Sequence, residues 1–82
     1  MGKYGTMSII KEVFMSDYCL KLLELRKENH FTQQFVADYL KIDRSNYSKY
    51  ELGKLEPSIS MLIALSKLYN VSIDYIVGNS DY

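Results

Sequence analysis

The sequence predicts an all-α domain of five short helices, and three observations carry that reading. The 82 residues contain one proline and four glycines, a composition that suits helices joined by short turns. Apolar residues recur at three- and four-residue spacing in successive segments, the helical period, rather than at alternate positions. Ser, Thr and Asp residues stand in front of those segments, where helix N-caps belong. A chain of this length holds one core, given a prior of about 100–200 residues per domain.

Taken in order, the first helix is expected over residues 16–29. Ser16 and Asp17 suit the N-cap and first turn, and Tyr18, Leu22 and Leu25 with Cys19 and Leu23 form an apolar stripe. Glu24, Lys27 and Glu28 fall on the other side, and Asn29-His30 is the stop. Thr32 caps a second helix whose apolar face is Phe35, Val36, Tyr39 and Leu40. Asp43 caps a third, residues 44–52. Ser45, Asn46, Tyr47 and Ser48 are poor helix formers, but Tyr47 and Tyr50 lie three apart, which a strand does not use. Gly53 sits where a helix C′ residue belongs, and Pro57 forbids continuation. Ser58 caps a fourth helix with Ile59, Leu62, Leu65 and Leu68 as its stripe and Met61 beside it. Val71-Ser72 opens a short fifth, residues 73–77, closed by Gly78.

Residues 16–78 therefore form the domain, with a tail at 79–82 and an N-terminal extension at 1–15. In the extension Ile9, Ile10, Val13 and Phe14 match helical spacing. It reads either as a partner or dimer contact or as a frayed segment packing loosely on the core.

Composition narrows the function. Ten Lys and Arg balance ten Asp and Glu, for a net charge of zero, so a polyanion would have to be met by a local patch rather than by overall attraction. Residues 17–54 carry seven basic against six acidic groups, and residues 55–82 one against three. One cysteine permits no internal disulfide. No apolar run approaches a membrane span, and no leader pattern precedes the first helix; the expectation is a cytoplasmic protein without a membrane partner. His30 has no second His or Cys at ligand spacing, and Cys19 and His30, 11 residues apart, have no third group to orient them. No glycine-rich phosphate loop is present. No metal, cofactor or enzymatic activity is expected. The tyrosines at 18, 39, 47, 50, 69 and 75 fall on apolar stripes, where aromatic rings are more often core than stacking platforms.

The informative unit is the second and third helices with Lys41-Ile42-Asp43 between them. So short a turn forces two helices to cross steeply. Ala37 is small enough for close approach, and Val36, Leu40, Ile42, Tyr47 and Tyr50 are available to fill the space between. What remains on the outer face of the third helix is Arg44, Ser45, Asn46, Ser48 and Lys49, all hydrogen-bonding and none acidic. Such a face suits base edges in a major groove.

Across residues 17–78 the chain resembles the Cro and phage lambda-repressor type of helix-turn-helix regulator (Xre-like). The strings that carry the resemblance are LKLLELRKEN, FTQQFVADYLKIDRSNYSKYELGK and EPSISMLIALSKLYNVSIDYIVG. It implies a compact five-helix lambda-repressor-like fold whose third helix reads double-stranded DNA, usually as a homodimer on a palindromic operator, with recognition helices roughly 34 Å apart. Gln33 is then assigned to phosphate and edge contact beside Arg44. Arg44, Ser45, Asn46 and Lys49 become the base-reading set, and Lys54 a phosphate contact. Physical chemistry agrees: Thr32-Gln33 offers free N–H groups and the positive end of a helix to a phosphate. Arg44 can fork onto guanine O6 and N7, which discriminates by about 1–3 kcal/mol. The resemblance also implies an ion pair between Arg26 and Glu51, whose value lies more in orienting the third helix than in stabilising it.

Two positions depart from the pattern. Lys41 stands where the family's turn commonly has glycine; a left-handed conformation there stores roughly 1–2 kcal/mol. Asp43 lies beside the proposed DNA face, where it can cap the third helix or accept from cytosine N4; the cap is the favoured role. An alternative reading keeps the fold and makes it a protein-binding regulator, such as an antitoxin, docking a protein partner through residues 1–15 and the fourth and fifth helices.

Overall fold

The computed structural model describes residues 10–78, with side chains from Tyr18 onward. It contains α1 (Ile10–Glu28), α2 (Gln33–Leu40), α3 (Arg44–Leu52), α4 (Ile59–Tyr69) and α5 (Ile73–Ile76); there is no strand among the described residues. The all-α, five-helix architecture is the one the sequence predicts.

Local chemistry explains most boundaries. Thr32 Oγ1 accepts from the Phe35 amide at 3.0 Å, Ser58 Oγ from Met61 at 3.2 Å and Ser72 Oγ from Tyr75 at 3.0 Å. Each hydroxyl satisfies an N-terminal donor that the helix leaves without an internal partner. Asp43 departs from expectation. Its backbone takes the extended N-cap conformation, but its side chain makes no capping hydrogen bond.

The first helix also needs correction. It begins at Ile10, not at Ser16. No glycine or proline interrupts residues 10–16, and Ile10, Val13 and Phe14 keep the helical spacing, so Ser16 and Asp17 lie inside the helix. The division drawn at residue 15 thus falls within α1. The contact role suggested for residues 1–15 rests on side chains outside the described residues, as does the tail at 79–82.

Four helices end by the same device. His30, Lys41, Gly53 and Asn70 all adopt positive φ, between 57° and 77°. The next residue's amide then reaches back to a carbonyl in the last turn: Phe31 to Arg26, Ile42 to Ala37, Lys54 to Lys49 and Val71 to Ser66, at 2.9–3.1 Å. These closures satisfy carbonyls that would otherwise be orphaned. Lys41 is therefore left-handed, at φ 61° and ψ 42°.

The core lies among all five helices, with α2 packed mainly against α3. Leu22, Val36, Ala37, Tyr47, Leu65 and Ile76 are fully buried, joined by Tyr18, Cys19, Leu25, Leu40, Tyr50 and Tyr69. Three apolar residues expected on core-facing stripes are exposed instead: Phe35 by 47%, Tyr39 by 43% and Ile59 by 74%. In so short a helix as α2 the seam is only Val36, Ala37 and Leu40 wide, which leaves Phe35 and Tyr39 on its flank. Phe35 still packs on Phe31 (ring centroids 4.5 Å apart), and Phe31 on Tyr69 at 6.0 Å. Half-buried Tyr75 carries the Lys21 ammonium 4.5 Å above its ring, a cation–π contact that ties α1 to α5.

Candidate nucleic-acid interface

Helices α2 and α3 meet across the completely buried Ala37, and Val36, Leu40, Tyr47 and Tyr50 close the space between them, with Ile42 half-buried at the turn. The Tyr47 and Tyr50 rings meet edge to face at 6.0 Å. Because α3 advances about 100° per residue, anchoring Tyr47 and Tyr50 inward turns Ser45, Ser48, Lys49 and Leu52 outward. Arg44, Ser45, Asn46 and Lys49 are exposed, and Ser48 is half-exposed. Thr32 and Lys54 are exposed as well. Sequence reasoning missed Leu52, an exposed leucine that continues the same outer face; its register with Ser45 and Lys49 was the available signal.

The one acidic side chain inside α3 is withdrawn from that face. Glu51 Oε2 lies 2.7 Å from Arg26 Nε and accepts from the Tyr47 hydroxyl at 2.5 Å. Its Oε1 accepts from Arg26 Nη2 at 3.1 Å and from Gln33 Nε2 at 3.0 Å. Arg26 uses its remaining nitrogen on the Phe31 carbonyl, at 3.1 Å. One carboxylate thereby joins α1, α2 and α3. Burial alone would raise its pKa, but the hydrogen bonds from Arg26, Tyr47 and Gln33 outweigh burial and hold it below the ordinary glutamate range. The Glu51 hydrogen bond raises Arg26 in turn. The Tyr47 phenol is pushed strongly upward, first by burial and then by its bond to Glu51.

Gln33 stands beside Arg44, and its side chain is also engaged within the protein. Its amide NH₂ is engaged by Glu51, and its carbonyl accepts from Arg44 Nη1 at 3.4 Å. It links the buried carboxylate to the first residue of α3. Thr32 likewise uses its hydroxyl as the α2 cap. The structure brings Gln33, Arg44, Arg26 and Glu51 into one connected set. Ser45, Asn46, Ser48 and Lys49 form the face beyond it, and Lys54 stands after the α3 closure.

With Glu51 neutralised by Arg26, the outward charges along residues 44–54 are Arg44, Lys49 and Lys54, and Asp43 is the acidic neighbour. Among the described residues no group of His, Cys, Asp or Glu could hold a metal ion. No described helix is long and apolar enough to cross a membrane.

A helix-turn-helix family model matches residues 22–76, which takes in this whole arrangement. The chain belongs to the helix-turn-helix family of the lambda-repressor type. It is similar to the HTH-type transcriptional regulator YobD of Bacillus subtilis, with 39% identity over 64 residues that cover 78% of this chain and 57% of the relative. It is also similar to the HTH-type transcriptional regulator ImmR of the same organism, 39% identical over 61 residues, 74% of this chain and 48% of that one. Among solved structures, a transcriptional regulator from Listeria innocua superimposes with a TM-score of 0.72 at 30% identity, covering 74% of this helix-turn-helix chain and 57% of the other. The chain spans about half the length of the curated relatives it matches. Members so named are regulators of transcription rather than enzymes.

Proposed function

We propose that this helix-turn-helix chain binds double-stranded DNA sequence-specifically, as a homodimer on a palindromic operator, and regulates transcription. The observation that carries the reading is the outer face of α3. It presents Arg44, Ser45, Asn46, Ser48 and Lys49 outward, while the only carboxylate of the helix is held inside by Arg26. A short helical face rich in donors is what base edges in a major groove require. Arg44, Ser45, Asn46 and Lys49 read bases. Thr32 and Gln33 place the N-terminus of α2 at the sugar-phosphate backbone, and Lys54 adds an unspecific phosphate contact. The names of the relatives support the reading as a regulator of transcription.

Binding to duplexes selected from random DNA tests it. Arg44→Ala is expected to lower affinity roughly 5- to 150-fold, the equivalent of the 1–3 kcal/mol of one bidentate base contact, and to relax preference at one base position. Lys54→Ala is expected to weaken all sequences alike and to reduce the salt slope by about one. Unchanged affinity and preference in Arg44→Ala would overturn the assignment of α3 as the reading helix.

A further inference from the structure

We infer that the outer face of α4 is the surface on which two copies of this chain associate. In α4 the residues turned toward the core are Leu65 and Tyr69, with Met61, Leu62, Ala64 and Leu68 half-buried beside them. At 100° per residue, Ile59 and Ile63 then point away from the core. They are 74% and 42% exposed, one helical turn apart. Leu55, four residues before Ile59, is 41% exposed. Ser60 and Ser66 complete that face, and Lys67 is the single charged residue of the helix. Two exposed isoleucines opposite a core, edged by small serines, form a patch that water solvates poorly and that another helix can approach closely.

The occupant follows from the pattern of charges. A two-fold interface apposes one patch with itself. If two α4 helices lie antiparallel about an axis level with Met61, Ile59 meets the partner's Ile63, and Ile63 meets the partner's Ile59. In the same register Lys67 of each copy reaches the end of the other where Leu55 and Glu56 precede α4. Lys67 and Glu56 are both exposed and of opposite sign, so the arrangement supplies two symmetric ion pairs at the rim and an aliphatic centre. The pairing also determines its strength. A helix of 11 residues is about 16 Å long, and one such pair falls below the roughly 1,200 Å² of buried surface of a standard stable interface. The dimer is therefore weak in free solution.

This inference names the face for the dimeric reading proposed above, and sedimentation equilibrium tests the two separately. Measured without DNA, the wild-type chain is expected to show a concentration-dependent monomer–dimer equilibrium. Ile59→Asp is expected to weaken it at least about ten-fold while leaving helicity and thermal melting unchanged, because the side chain it replaces is largely in water. Lys67→Glu and Glu56→Lys are each expected to weaken association about three-fold, and the double exchange to restore it to within about two-fold. Normal self-association in Ile59→Asp, or a double exchange no better than its singles, overturns the α4 face and leaves dimerisation standing. A wild-type chain that stays monomeric at the highest concentrations and occupies a selected duplex as one copy overturns both. Retained monomeric binding to a half-site duplex by Ile59→Asp supports the face and shows that DNA reading does not depend on it.

Discussion

Replacing Lys41 with glycine should make this domain more stable although it removes side-chain atoms. Lys41 closes α2 in the left-handed region, where its amide and the following Ile42 amide hydrogen-bond to Asp38 and Ala37 at 3.1 and 3.0 Å. For a residue with a Cβ that conformation costs about 1–2 kcal/mol. Glycine removes the cost but gives the unfolded chain extra freedom, an offset of about 0.4–1 kcal/mol. The difference favours the glycine variant by roughly 0.5–1 kcal/mol, and for a domain of this size that raises Tm by about 3–6 °C. Lys41 is exposed, so no packing is lost. Urea unfolding and thermal melts of Lys41→Gly and Lys41→Ala provide the assay. The alanine variant keeps the Cβ and should melt with the wild type. A glycine variant no more stable than wild type would refute the strain assignment; an equal gain in Lys41→Ala would trace the effect to the lysine charge instead.

Other expected outcomes concern the interior. Glu51→Ala removes the acceptor shared by Arg26, Tyr47 and Gln33 and should cost about 3 kcal/mol in denaturant unfolding, since it strands a partly buried guanidinium and a buried hydroxyl. Because the folded-state pKa of Glu51 is depressed, its contribution is complete above the unfolded chain's glutamate pKa and is lost as pH falls through the folded value. Melting measured from neutral pH into acid should show that decline in the wild type and a shallower one in Glu51→Ala. Leu65→Ala, at a fully buried site, should cost about 2–5 kcal/mol by calorimetry.

Much of this was readable from the amino-acid order because the turns carry their own chemistry. Thr32, Ser58 and Ser72 cap as their residue types predict, and Gly53 ends α3 where a left-handed residue was expected. Ser16 misled because a good cap residue is recognisable by type, while its use depends on whether the helix has already begun upstream. Asp43 stands at the right backbone position without using its carboxylate, which the residue type does not reveal. Phe35, Tyr39 and Ile59 show a related difficulty. Periodicity identifies an apolar side, but on an 8- or 11-residue helix it does not separate the seam from its flanks. The polar outer face of α3 was legible from Tyr47 and Tyr50 facing inward. The double engagement of Gln33 was not, since an amide at that position serves a phosphate, a carboxylate or an arginine equally well by composition alone.

The cluster around Glu51 contributes to stability on the alkaline side as well as on the acid one. Tyr47 donates to that carboxylate, and Tyr69 nearby is pushed up to about 12, chiefly by burial and then by the charge of Glu51. A phenol whose folded value is raised stabilises the native state below the unfolded tyrosine value of about 10, and that contribution drains away as base ionises it. Acid therefore acts on the carboxylate and alkali on the rings beside it, so a single substitution at Glu51 should lower stability near neutrality and flatten its dependence on pH in both directions.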